Sequence, residues 1–360
     1  MRIVSPLLKR VVYPSLSSMG VFQSTTARGL AVVTYHGVLP GGYQPVDTAL
    51  DGNLITRETL RRQLRLLKAH YDVVSPDDVL VWLQGGELPA RAVLLTCDDG
   101  LLNHLTDLLP VLQQEGVKCI FFVTAASAGA ERKMLWYEDL FLLLVRAQEG
   151  QLKVSCGGIE ICGALSSREQ RRTFWWNLVK RLSQLDAEAR YAFLSAIREQ
   201  TGPSSWRGLD GADPVACRRF GLLTCAELSE LAKAGMTIGA HTVSHPVLSQ
   251  MSPELARVEI VNCREQLQSA LRQPVWALAY PFGDPQSVTE QVVQFAGQAG
   301  FAAAFLNFGG GLGAGLPRFA LPRIHVTSEM SLGELDAHVS GFQVRLQKFA
   351  GRASLNRIGG

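Results

Sequence analysis

Eight short apolar or β-branched runs bounded by turn residues punctuate the chain, at 31–36, 71–75, 92–96, 119–124, 236–240, 276–280, 302–306 and 321–326. Most are continuously apolar and too short for a buried helix, which predicts strands covered on both faces, as in parallel sheets. Between them apolar residues recur at helical spacing over 56–70, 101–115, 224–234, 252–272, 287–297 and 331–349. Local signals agree with these helices: Thr224 with Glu227 reads as a capping box, Ser252-Pro253-Glu254 supplies an N-cap, a first-turn proline and an acidic first turn, and Gly235 ends a helix. Regular alternation of strand and helix predicts an α/β domain, either an open doubly wound sheet or a closed (β/α) barrel, and periodicity suits both. The alternation stops between about 130 and 221, where helical patterns at 136–148, 167–185 and 186–200 surround a Gly-rich hairpin candidate at 151–163. This stretch reads as an insertion into the α/β domain. Its aromatics Trp136, Tyr137, Phe174, Trp175 and Trp176 suit either a core or the lining of a sugar site.

Composition narrows the class. With 360 residues, 47% of them hydrophobic and 19% charged, the chain has the makeup of a globular protein and enough length to bury a large core. A formal net charge of +3 is too small and too dispersed for a nucleic-acid-binding face. The seven cysteines contain no CxxC pair, so they read as buried thiols of a reducing compartment, with Cys156 and Cys162 a candidate pair across the hairpin. No run reaches the roughly 18 apolar residues of a membrane span, and Pro6, Lys9, Arg10 and Pro14 break the N-terminal run in a way unlike a cleavable signal. The expectation is a cytoplasmic protein. Residues 1–29 form a separate apolar and basic segment that either packs on the domain or touches the inner membrane peripherally through residues 3–22; the domain then runs over 30–349, and 350–360 form a flexible tail.

Two constellations carry chemistry. Val93 to Thr96 is an apolar strand that runs through Cys97 into Asp98, Asp99 and Gly100. Carboxylates at the C-terminal end of a parallel strand stand where α/β proteins build their sites, although Asp-Asp-Gly also suits a turn. The strand at 236–240 runs into His241-Thr242-Val243-Ser244-His245, two imidazoles four residues apart at a corresponding end. Two such imidazoles and a carboxylate can hold one divalent cation with positions left open, as catalytic metals require. Tyr280-Pro281-Phe282-Gly283 ends another strand in a turn. On the late strand, Arg323 and His325 share a face, because strand side chains alternate with period two. If that face points inward, Arg323 needs a carboxylate partner.

These motifs resemble the NodB-like polysaccharide deacetylases, carbohydrate esterase family 4. Thr96-Cys97-Asp98-Asp99-Gly100 is similar to the family's Thr-Phe-Asp-Asp-Gly, 241–245 to His-Ser/Thr-x-x-His, and 280–283 to part of Arg-x-Pro-Tyr-Gly. Thr34-Tyr35-His36-Gly37-Val38 and the strand at 321–326 resemble the first and last strands of a bacterial exopolysaccharide subgroup. The resemblance, over about residues 30–345, implies a distorted (β/α)7 barrel carrying a helical insertion. It also implies one divalent metal, Zn²⁺ foremost with Co²⁺, Ni²⁺ or Mn²⁺ as substitutes, and removal of N-acetyl groups from an amino sugar in a polysaccharide or its precursor. It makes Asp98 the general base and Asp99, His241 and His245 the metal ligands, with Tyr280, Pro281, Phe282 and Gly283 at the substrate. Three positions depart from the pattern. Cys97 replaces a phenylalanine. Ala279 stands where many members carry the arginine that orients the base, so that task is vacant or passes to Arg323. The acid's Leu-x-His motif has no match, and His325 is the histidine nearest its frame. Two alternatives accompany this reading: a deacylase of a lipid-linked amino sugar at the membrane, and a sugar-binding member without turnover.

Overall fold

The computed structural model describes residues 8–22, 29–201, 213–310 and 316–349; residues 3–7 of the N-terminal segment and the tail at 350–360 lie outside them. Ten strands are described: β1 (Gly29–Tyr35), β2 (Asp72–Val73), β3 (Arg91–Cys97), β4 (Ile120–Val123), β5 (Gln151–Cys156), β6 (Ile159–Ala164), β7 (Thr237–Ala240), β8 (Ala277–Ala279), β9 (Ala303–Gly309) and β10 (Leu321–His325). Seven of them form a parallel barrel in the order β1-β10-β9-β8-β7-β4-β3, closed by β1 pairing β3 from Gly29↔Arg91 to Tyr35↔Cys97. Of the two sheet topologies compatible with the sequence pattern, the closed barrel is the one formed. The eighth strand of the sheet, β2, adds only to the start of β3.

Side-chain alternation divides the strands between two cores. Leu30, Val32, Ala92, Leu94, Phe122, Ala279 and Phe305 fill the barrel interior, where Phe122 meets Phe305 at 5.5 Å between ring centroids. Their neighbours Ala31, Val33, Val93, Leu95, Phe121 and Ile238 face outward, against Leu60, Leu64, Leu112, Leu231, Ile260 and Leu335 of the surrounding helices. Every residue of β4 is buried, which explains its uninterrupted apolar run. Between β9 and β10 the register shifts after Leu321↔Phe305, so the end of β9 bulges beside the barrel mouth.

The helix expected over 101–115 is irregular: it begins with a π-helical turn, His104–Leu108, and becomes α-helical at Leu109–Glu115. Pro110 supplies no N–H and crowds the carbonyl four residues earlier, which breaks the regular ladder there. The stretch 331–349 is likewise two helices, Leu332–Val339 and Phe342–Phe349, divided at Gly341 with φ +74°. A helix at Pro76–Leu83 was not anticipated, although Ser75 and Asp78 form a capping box around Pro76.

The insertion comprises the helices Trp136–Arg146, Arg168–Leu182, Ala187–Thr201 and Pro214–Phe220 with the antiparallel hairpin β5–β6. Leu140, Leu144, Val154, Leu178, Val179 and Phe193 form a second core, joined by Leu50 and Val247 from barrel loops. In the hairpin Cys162 lies opposite Lys153 and Cys156 opposite Ile159; both thiols are free. The register explains this, since the two cysteines are not cross-strand neighbours.

Of the N-terminal segment, the helix Tyr13–Ser18 packs on Leu332–Val339, with Tyr13 and Phe22 buried and Val11 and Met19 exposed. Tyr13 Oη donates to Gln343 Oε1 at 2.9 Å, Ser17 Oγ to Asp336 Oδ2 at 2.6 Å, and Lys9 pairs with Glu334 at 2.8 Å. Among the described residues no helix is long and apolar enough to cross a membrane.

Candidate active site

The C-terminal ends of the barrel strands gather the charged residues that the apolar runs lead into. Asp98 N–H donates to Tyr35 O at 2.9 Å, extending the β1–β3 ladder by one residue and keeping Asp98 on the inward face. Arg323 reaches it from β10. Its Nη1 donates to Asp98 Oδ1 at 2.7 Å and its Nη2 to Oδ2 at 2.5 Å, while Nε is fixed by Leu306 O at 2.6 Å and Nη1 also by Thr96 Oγ1 at 3.1 Å. A guanidinium bound at both forks fixes a carboxylate in direction as well as position. Burial pushes the Asp98 carboxyl up, but Arg323 and His241 outweigh it and hold it below its usual range.

The chain then turns sharply. Asp99 has φ +84° and Gly100 φ +77°, and a Cβ on Gly100 would stand 3.0 Å from the Val123 side chain. The turn swings Asp99 away from Asp98 and toward the histidines. His241 Nε2 lies 3.6 Å and His245 Nε2 3.2 Å from Asp99 Oδ1, and the ligand-type atoms of the three buried residues all lie within 4.8 Å of one another. His241 Nδ1 sits 2.7 Å from Ala279 O, an acceptor only, so Nδ1 carries the proton and Nε2 presents a lone pair toward Asp99. A lone pair aimed at a carboxylate oxygen is repulsive unless a cation or proton stands between them. The donor set therefore fits a divalent metal. Burial raises the Asp99 carboxyl, but the two imidazoles outweigh it and hold the group well below its ordinary value. His245 is lowered by burial, with Asp99 opposing.

The loop that carries the histidines is held from behind. Thr242 and His245 both adopt left-handed backbone, at φ +64° and +58°. Thr242 Oγ1 accepts from His245 N–H at 3.1 Å, Glu259 binds both the N–H and the hydroxyl of Ser244, and Arg190 of the insertion donates to Ser244 Oγ at 2.8 Å. Trp136 Nε1 donates to His245 O at 3.1 Å. Among the described residues five non-glycines have positive φ, and four of them, Asp99, Thr242, His245 and Phe282, stand in this site. Such conformations persist only where surrounding contacts over-determine them.

A cavity of about 690 Å³ opens over these groups, within the usual size of small-molecule sites. Asp98, Asp99, His241, His245 and His325 line it together with His36. The His36 and His325 rings lie 4.8 Å apart, with His36 Nδ1 and His325 Nε2 buried and without a hydrogen-bond partner among the described residues. Burial, followed by His36, lowers the His325 pKa to about 3, so that ring is neutral. Of the four turn residues, only Phe282 lines the cavity. Tyr280 turns its hydroxyl to Phe319 O at 2.9 Å, the N–H groups of Tyr280 and Gly283 bond to Phe305 O and Pro281 O, and Pro281 has none to offer.

The insertion builds the opposite wall. The Tyr137 ring lies 4.9 Å from His245 and 5.6 Å from Phe282, and Trp176 lies 5.4 Å from Phe282. The aromatic group expected in this stretch thus divides: Tyr137, Trp175 and Trp176 face the cavity and Trp136 is core. Sequence reasoning did not single out His36, Glu138 or Arg219 as site residues. His36 carried a signal, an imidazole at a strand end; Glu138 and Arg219 carried none.

The model of the family described as "Polysaccharide deacetylase" matches residues 85–151 and 165–304, more than half of the chain. The Bacillus subtilis (strain 168) protein YxkH, named "Putative polysaccharide deacetylase", is 22% identical over 121 residues, which cover 34% of this chain and only 42% of that protein. Two solved structures share the fold. The Streptococcus pyogenes deacetylase PplD in complex with acetate aligns with TM-score 0.53 at 19% identity over 86% of this chain and 97% of its own. IcaB from Ammonifex degensii aligns with TM-score 0.51 at 18% identity over 87% and 97%. With its parallel barrel, its aspartate pair and its paired histidines, the chain belongs to the polysaccharide deacetylase family.

Proposed function

We propose that this protein removes N-acetyl groups from an amino sugar of a polysaccharide or its precursor, with Asp99, His241 and His245 holding one divalent metal ion, Zn²⁺ foremost. When bound, that ion supplies Lewis acidity to the amide carbonyl and to water. The chain's own groups divide the remaining work. Asp98, kept ionised and aimed by Arg323, removes a proton from the water that attacks the acetamide carbon; each of its oxygens keeps a lone pair beyond the Arg323 bonds. As the C–N bond breaks, the amine takes up, through the paired imidazoles of His36 and His325, the proton that Asp98 removed from water, and acetate and a free amino sugar leave. His325, neutral as it stands, acts as an N–H donor and relay and not as a resting imidazolium. Phe282 and the aromatic wall exclude water and receive the sugar.

The observation that carries this reading is the two-pronged Arg323–Asp98 pair beside the Asp99–His241–His245 cluster in one cavity. It also fills the place left by Ala279, since Ala279 and Arg323 both belong to the barrel interior, and so favours turnover over sugar binding alone. Acetate release from N-acetylglucosamine oligomers by metal-supplemented protein tests it. Release is expected from the wild type, and its absence with every N-acetylated oligomer tried would overturn the reading.

A further inference from the structure

The cavity contains a charged group that the proposed chemistry does not use. Glu138 comes from the first turn of Trp136–Arg146, Arg219 from the last turn of Pro214–Phe220, and Asp51 from the segment between β1 and β2. All three are buried, Asp51 as the last residue of the short helix Thr48–Asp51. Arg219 Nε donates to Asp51 Oδ1 at 2.8 Å and Nη2 to Leu50 O at 3.1 Å, and Nη2 pairs with Glu138 Oε1 at 2.9 Å. Asp51 is fully occupied, since it also accepts from Tyr43 Oη and from Val46 N–H. Glu138 and Arg219 are not. Glu138 Oε2 and Arg219 Nη1 have no hydrogen-bond partner among the described residues, and both side chains line the cavity. A buried polar atom left unpaired costs about 1–3 kcal/mol, so this arrangement favours a ligand that supplies an acceptor and a donor together.

A sugar hydroxyl is both. It can donate to the spare carboxylate oxygen while a lone pair of the same or a neighbouring hydroxyl accepts from the spare guanidinium N–H. Position supports this. Glu138 follows Tyr137, whose ring lies against His245, and burial raises the Glu138 carboxyl to about 7, with Arg219 opposing and the nearby Asp99 charge adding to the rise. An acetamido group seated at Asp98 and Asp99 leaves its pyranose ring in the cavity that the rings of Tyr137, Trp176 and Phe282 and this polar pair line together. That combination, an apolar wall with a few fixed polar groups, is how small-molecule sites orient ligands. Resting on the deacetylase reading above, we propose that Glu138 and Arg219 form a hydroxyl-reading subsite for the pyranose ring of the N-acetylated substrate, which makes the insertion the element that determines sugar specificity.

The experiment compares kcat and KM for acetate release from N-acetylglucosamine oligomers in wild type, Glu138→Gln and Glu138→Asp, with the bound metal of each measured. Glutamine keeps the shape without the charge, and aspartate keeps the charge but withdraws its oxygens by one methylene. Both are expected to raise KM at least about tenfold, one lost charge-assisted contact, with kcat changed less than about threefold and metal content as in the wild type. The second variant keeps the test open if the first does not fold. An unchanged KM in a folded variant overturns the proposal. So does a fall in kcat at constant KM, which places Glu138 in the chemistry, or a loss of metal, which places it in the support of the site. Failure of the deacetylase reading shows differently, as no acetate from the wild type.

Discussion

The barrel mouth and the insertion both face the same cavity, and they hold their polar groups in opposite ways. At the mouth the base and the groups around it are tied: Asp98 is bound at both oxygens, Arg323 at all three of its nitrogens, and His241 through its rear nitrogen, whereas His36 Nδ1, His245 Nδ1 and His325 Nε2 have no hydrogen-bond partner among the described residues. The backbone there is forced into left-handed φ at Asp99, Thr242 and His245 and is kept so by Ser244, Glu259 and Arg190. In the insertion the rings of Tyr137 and Trp176 line the cavity, and Glu138 and Arg219, which line it too, each keep one polar atom without a hydrogen-bond partner among the described residues. The difference teaches a division of labour. The general base Asp98 is preorganised by the barrel, and the groups that read the ligand are supplied by the insertion with bonding capacity to spare.

That division is most sharply exposed by Asp98→Asn. The amide cannot take a proton but keeps the shape, so kcat is expected to fall at least about 10²-fold with KM and bound metal nearly unchanged. Glu138→Gln is expected to do the reverse, and equal effects of the two on kcat would break the comparison. Arg323→Ala comes next, with turnover down by about tenfold or more and metal retained. Because it leaves Asp98 buried and unpaired, it is also expected to cost about 3–5 kcal/mol in denaturant unfolding, and Arg323→Lys to restore part of both.

The smallest effect is one of pH on the barrel's rigidity. His104 is buried with Nε2 3.2 Å from His36 O, and burial lowers its pKa to about 4 from an ordinary 6.5. As pH falls the unfolded chain takes up this proton at about 6.5 and the native state only near 4, so stability declines across that window. His104→Gln, which keeps an N–H donor, is expected to flatten the decline by at most about 3 kcal/mol at its acid end and to change little at pH 7. Denaturant midpoints of both proteins from pH 4 to 7 measure it, and parallel curves would remove His104 from this role.

The two regions also differ in how much of them the sequence discloses. All eight barrel-sheet strands stood out, because each is an apolar run ending in turn residues, and the catalytic candidates are continuations of those runs: Asp98 and Asp99 after β3, His241 after β7, Arg323 within β10. Closure of the barrel was not legible, since the β1–β3 pairing depends on strand number and tilt and not on any local pattern. Arg323 was legible through the period-two alternation that puts it on one face with His325, and the structure turns that face inward at Arg323. Glu138, Arg219 and Asp51 were not. They come from three elements, two of them outside the regular strand-and-helix alternation, and each alone reads as an ordinary charge near a helix end.

The central claim is that Asp99, His241 and His245 together hold one divalent ion at the barrel mouth. Metal analysis of purified wild type, His241→Ala and His245→Ala tests it most directly. The account predicts one tightly bound divalent ion per chain in the wild type and loss of tight binding in each folded variant; one equivalent retained in both variants would contradict it.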